Sequence, residues 1–253
     1  MAKRTSAKPV ALITGAAGGL GVVVTQMFLD AGYRVSAVDR DWPKRIPAAA
    51  SLLLTKADLA SRSAAEAAVR KTVKKWGEIH CLAHLVGAFE EGARVEDTSD
   101  QVWDAMLTGN LRTAVNMLRA VIPAMRARGR GSISVIGSST VMHPVVTWSA
   151  FNASVNGLCT LVQTAAAELR DNGVTVNALL PTTIDTPQVR SWYGDAEAYK
   201  WVDPRSLGSL LLWLASEPGR DVTGAIIPVV GRQNHPCFQW HGATDVKTES
   251  ISE

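Results

Sequence analysis

The sequence predicts a single-domain α/β fold, three layers deep, with a doubly wound parallel sheet. Short β-branched runs alternate with longer helical stretches along the 253 residues. A glycine-rich turn joins the first strand to the first helix, and no linker or internal repeat divides the chain. Parallel neighbours cannot be joined by a tight hairpin, so the intervening helices must cross over and cover both faces of the sheet.

The elements follow in order. Residues 9–13 read as a strand and 19–31 as a helix that stops at Gly32. A second strand over 34–38 ends beside Asp39, and a Pro- and Ala-rich loop leads to a third over 52–55. A helix over 61–76 precedes a strand over 79–86. One long helix is predicted over 99–128, with Val102, Met106, Leu111, Met117, Leu118 and Val121 near one side. Strand 132–136, helix 149–171 and strand 174–180 continue the alternation. A polar segment with Trp and Tyr follows, then a helix through Leu210 and a last strand over 225–230. Residues 232–253 read as an irregular tail over the surface or a partner subunit.

Composition narrows the function. Hydrophobic residues make up 47% and charged residues 19%, as in a soluble globular domain. A net charge of +3, scattered in short clusters, is too mild to point to nucleic acid. No apolar run reaches the length of a membrane span, and no apolar segment precedes the first strand as a secretory signal would require. Three distant cysteines, Cys81, Cys159 and Cys237, fit a reducing compartment, so the expected location is cytoplasmic. His235, Cys237 and His241 match no common zinc spacing, and no metal is expected.

The turn Thr14-Gly15-Ala16-Ala17-Gly18-Gly19-Leu20-Gly21 follows a strand and opens a helix. In that context, glycines permit a tight turn and close approach of the backbone to a pyrophosphate, which the helix N-terminus then faces. The alternative is a glycine turn kept for packing. Asp39 ends the second strand, where a carboxylate accepts hydrogen bonds from both adenosine ribose hydroxyls and repels a 2′-phosphate. This favours NAD over NADP, although Arg40 follows directly. A Rossmann-type dinucleotide site is the result.

Further motifs lie in register along the chain. Asp58-Leu59 follows the third strand, Asn110 sits in the long helix, and Ser138 ends the fifth strand. Val176-Asn177-Ala178, Pro181, Thr186 and Thr223-Gly224 complete the series. Together with the TGxxxGxG turn, these resemble the short-chain dehydrogenase/reductase family over nearly the whole chain. The resemblance implies cofactor contacts from Gly15, Gly18, Gly19, Leu20, Gly21, Asp39, Asp58, Leu59, Gly87, Pro181 and Thr186. It implies catalytic roles for Ser138 and Asn110. It also implies dimers or tetramers that pair helices 99–128 and 149–171.

Departures fall at the chemistry. The family's NNAG reads His84-Leu85-Val86-Gly87, and its Pro-Gly reads Pro181-Thr182. Its YxxxK falls thirteen residues after Ser138, on Phe151-Asn152-Ala153-Ser154-Val155. Carbonyl reduction needs a proton as negative charge develops on oxygen. A Tyr activated by a Lys one helical turn on delivers it, typically worth about 10²–10⁴-fold. Phe151 keeps the ring without the donor, and Val155 carries no charge. Ser138 retains a hydrogen bond for an oxyanion. His143, in the loop after Ser138, is either a substitute proton donor or an exposed loop residue. Tyr193 and Tyr199 are either lid residues reaching the site or surface packing. Trp148, Trp192, Trp201 and Trp240 either line an apolar pocket or pack an interface.

Two functions remain open from the sequence. One is an impaired or non-catalytic subunit that holds NAD and associates with an active sibling. The other is an active NAD-dependent oxidoreductase using Ser138 and a substitute donor such as His143.

Overall fold

A computed structural model describes residues 8–42 and 49–232. The tail positions His235, Cys237, Trp240 and His241 lie outside the described residues. Seven parallel strands form one sheet in the order β3-β2-β1-β4-β5-β6-β7. They are β1 Val10–Thr14, β2 Arg34–Asp39, β3 Leu52–Lys56, β4 Cys81–His84, β5 Gly131–Ile136, β6 Val174–Pro181 and β7 Ile226–Val229. All residues of β1 and β6 are buried, which explains why these strands read as apolar runs without alternation.

Helices cover both faces. Against one face lie α2 (Arg62–Trp76), α4 (Thr113–Arg128) and α5 (Ser149–Leu169), which bury Val69, Met117 and Leu158 with Leu12, Ile133 and Val176 of the strands. Against the other lie α1 (Gly19–Asp30) and α7 (Pro204–Leu214), where Phe28 and Leu211 pack with Ile13 and Val35. Local signals set the ends. The Ser61 hydroxyl accepts from the Ala64 N–H at the start of α2, and Gly77 closes it at φ 86°. Asp203 caps α7 ahead of Pro204. Among the described residues, no helix is long and apolar enough to cross a membrane.

The chain runs outward from β1 to β3, then returns to β4 on the other side of β1. The reversal leaves a crevice above the carboxyl ends of β1 and β4, where doubly wound folds bind ligands.

Three expectations are corrected. The helix predicted over 99–128 is not continuous: α3 (Asp100–Met106) passes through a π-helical segment, Leu107–Arg112, before α4 begins. The strand expected over 79–86 stops at His84, and Leu85 only adds one bond to the Thr14 carbonyl before the chain leaves the sheet. Within the polar segment, Pro187–Tyr193 forms a helix, α6, capped by Thr186. Apolar periodicity is blind to one inserted residue per turn and to helices of two turns.

His84 ties three elements together beneath the crevice. The Thr113 hydroxyl donates to the Gly109 carbonyl at 2.8 Å, so toward His84 Nε2, 3.3 Å away, it acts as acceptor. Nε2 therefore carries the proton, and Nδ1 accepts from the Thr14 hydroxyl at 2.8 Å. The ring is fully buried, and desolvation pulls its pKa from 6.5 down to about 4. An unfolded chain thus takes up this proton before the folded one. Stability is expected to be full above pH 6.5 and to be lost as pH falls through about 4, by up to ~3 kcal/mol. Urea unfolding at pH 7 and pH 5 measures it, and His84→Asn is expected to remove this part of the slope.

Candidate functional site

The crevice is built first by glycines. Gly15 takes φ +68°, a region that disfavours side chains, and a Cβ there would lie 3.0 Å from the Leu85 carbonyl. A Cβ on Gly21 would lie 2.0 Å from the Gly15 carbonyl oxygen, so helix and turn touch only because Gly21 is bare. Gly18 offers no side-chain cap to α1. The first-turn N–H groups of Gly19, Leu20 and Gly21 thus lack helical acceptors and form a cradle of unpaired donors at the turn. An anionic pyrophosphate suits that cradle.

Beside it lies a cleft of about 720 Å³, lined by Gly15, Gly18, Asp39, Asp58, Leu59 and Gly87 among others. Asp39 Oδ2 accepts from the Ala17 N–H at 2.8 Å, which fixes the carboxylate at the cleft wall. Arg40 reaches out to Asp41, 3.6 Å away, with its side chain 77% exposed. Asp58 caps the turn after β3 by accepting from the Ala60 N–H. The Asn116 amide holds the Leu59 and Ala60 carbonyls from beneath. These residues fit a dinucleotide: donors for phosphate, a carboxylate for ribose and a flat apolar shelf for a base.

Asn110 stands between this cleft and a second cavity. Its Oδ1 accepts from the Ala88 N–H at 2.8 Å, and its Nδ2 donates to the Ala88 carbonyl and to Ser154 Oγ. Ser154 passes its own proton to the Phe151 carbonyl at 2.7 Å. The chain of bonds therefore closes on a backbone oxygen. The π segment makes this reach possible, and Gly109 lets it approach so closely that a Cβ would meet Ala88 Cβ at 2.5 Å. Val155, one turn after Phe151, is 2% exposed.

The second cavity, about 420 Å³, opens at the ends of β5 and β6. Ser138, His143, Phe151, Pro181 and Thr186 line it, with Trp148, Trp192 and Tyr193. Ser138 Oγ accepts from both the N–H and the hydroxyl of Thr140, at 3.3 and 3.2 Å. Both lone pairs are occupied, and its proton has no acceptor among the described residues. Tyr193 donates to Glu91 at 3.0 Å, and burial together with that bond raises its pKa. Thr147, on the rim, adopts φ 69°, and its carbonyl oxygen sits 2.4 Å from where a Cβ on Gly92 would be.

Most site residues expected from the sequence meet in these two spaces. Asn110 lines neither, nor do Gly19, Leu20 and Gly21; the Asn110 amide holds Ala88 and Ser154. Trp201 is buried away from the cavity, and Tyr199 stands in solvent, 67% exposed. Phe89, Ser154, Val145 and Gln188 are lining or clamping residues that sequence reasoning missed. Phe89 meets Trp148 at 4.6 Å between ring centroids, across 59 residues of chain, and no local pattern announces such a pair.

The short chain dehydrogenase family matches residues 9–197, most of the chain. The chain belongs to the short-chain dehydrogenase family. The short chain dehydrogenase adrF of Penicillium rubens is 28% identical over 241 residues, 87% of this chain and 94% of the relative. The 3-ketoacyl-(acyl-carrier-protein) reductase of Brucella melitensis, complexed with NADH, superposes with a TM-score of 0.81. It is 25% identical, covering 88% of this chain and 98% of its own. The fold of ElxO with NADP bound gives 0.83 at 21% identity, over 89% of this chain and 98% of its own. Structures of this fold therefore hold either dinucleotide.

The cradle yields a direct test. Gly21→Ala is expected to abolish NADH binding and to lower stability by about 1–3 kcal/mol, because turn and helix must separate. Energy transfer from tryptophan to NADH and thermal unfolding measure the two effects.

Proposed function

We propose that this short-chain dehydrogenase binds NAD(H) but reduces carbonyls poorly on its own, and works as a subunit beside an active relative. The observation that carries this reading is Phe151, which lines the cavity with Ser138 while Val155 is buried behind it. In the family's pattern those two positions belong to the Tyr that delivers a proton and the Lys that activates it. Here the Asn110 network ends on the Phe151 carbonyl through Ser154, so nothing in it carries a proton toward a ligand.

A bound nicotinamide dinucleotide would supply or accept hydride. The chain's own residues hold it, present a hydrogen bond from Ser138 and exclude water with aromatic side chains. Asp39, fixed by Ala17, supports NAD over NADP, since Arg40 is turned toward Asp41. The partner reading draws support from α5, whose exposed residues Ala153, Asn156, Thr160, Gln163, Thr164 and Ala167 are uncharged, with Glu168 as the one charge at the far end of the helix. Such a face suits close helix pairing with a second subunit.

His143 lines the same cavity as Ser138 and favours a second reading, an active NAD-dependent oxidoreductase with His143 as proton donor. Turnover lost in His143→Ala, in a chain that is otherwise active alone, would establish it.

Two outcomes are expected. Wild-type chain binds NADH at micromolar concentration and turns ketones over slowly, whereas Phe151→Tyr with Val155→Lys raises turnover about 10²-fold or more. NADH binding by the double variant checks that it is folded. Asp39→Ser is expected to weaken NADH and strengthen NADPH, each by about tenfold, in the same fluorescence titration.

A further inference from the structure

We propose that the cavity selects a neutral aryl or fused-ring ketone, whether or not the chain reduces it. The inference rests on the reading above only in taking this cavity as the ligand site. Three features carry it.

The first is charge. Among the described residues, no Asp, Glu, Lys or Arg lines the cavity. A carboxylate or phosphate entering it would lose hydration with no Lys or Arg to meet it and only the His143 imidazole as a cationic partner, which leaves it poorly compensated.

The second is shape. Phe89, Trp148 and Phe151 meet edge to face, with centroids 4.6, 5.2 and 6.0 Å apart. Each ring is braced by two others, so the wall is stiff and presents flat surface. Rings stack on such a wall with little loss of freedom, whereas an open chain must freeze several torsions to cover it. Opposite, Trp192 lines the cavity while 53% exposed, an apolar side chain that a ligand would cover.

The third is the polar end. Ser138 has both lone pairs filled by Thr140 and one proton left, so it is set as a donor to a ligand oxygen. A ketone oxygen accepts that bond and brings no charge.

The test uses calorimetry on the full chain with NADH present, and three probes. These are 2-acetonaphthone, its charged counterpart 2-naphthoate, and 2-dodecanone, an open-chain ketone of equal carbon number. Binding of 2-acetonaphthone is expected to be at least about tenfold tighter than that of either other probe. Trp148→Ala is expected to weaken it about tenfold with NADH affinity unchanged. Val145→Lys, at a position 40% exposed and so tolerant of the change, is expected to raise naphthoate affinity. Naphthoate or dodecanone binding as tightly as the ring ketone would overturn the proposal, as would no binding of any probe. NADH consumption is read in the same samples. Rapid consumption overturns impaired catalysis and leaves the ligand class standing, so the two failures are distinct.

Discussion

The side-chain amide of Asn110 joins segments that no backbone ladder connects. It grips both polar groups of Ala88, in the loop after β4 that walls the dinucleotide cleft, and it reaches Ser154 on α5. The bond to Ser154 is buried and the two to Ala88 are partly so, which limits competition from water. A wall of the cleft is consequently tied to the helix that carries Phe151. The π segment that carries Asn110 exists to bring it inward, and Gly109 clears the space.

That arrangement bears on what the site can do. A hydrogen-bonded chain moves protons only if each member can both take and give one and if the chain reaches a titrating group. Here it stops at an amide carbonyl, which does neither. The nearest buried imidazole, His84, is spent differently: both its nitrogens are engaged by threonines, and it stays neutral down to acid pH. Its job is to lock β1, β4 and α4 together under the crevice.

Much of the fold was legible in the sequence because its signals are local and repeated. Seven strands, the crossover helices and the glycine turn each announce themselves within a dozen residues or so. What escaped depends on contacts between distant segments. The break in the long helix follows from one extra residue in a turn, which leaves hydrophobic periodicity nearly intact. The position of Asn110 was legible from the resemblance, but its three bonds to Ala88 and Ser154 were not. Trp148 and Trp192 were visible as pocket aromatics, but Phe89, which braces Trp148 and Phe151, was not. A lone Phe in a loop carries no mark of the ring it will meet.

The rim of the cavity rests on an unusual pairing: Thr147 in a left-handed conformation, and Gly92 bare because the Thr147 carbonyl occupies its side-chain space. The two loops therefore pack in direct contact at the opening, with the Thr147 carbonyl where a side chain at 92 would stand. Val145, close by and 40% exposed, meets no such limit. Descendants of this chain can therefore exchange one ligand for another by single substitutions on the rim, whereas position 92 is closed to nearly every replacement.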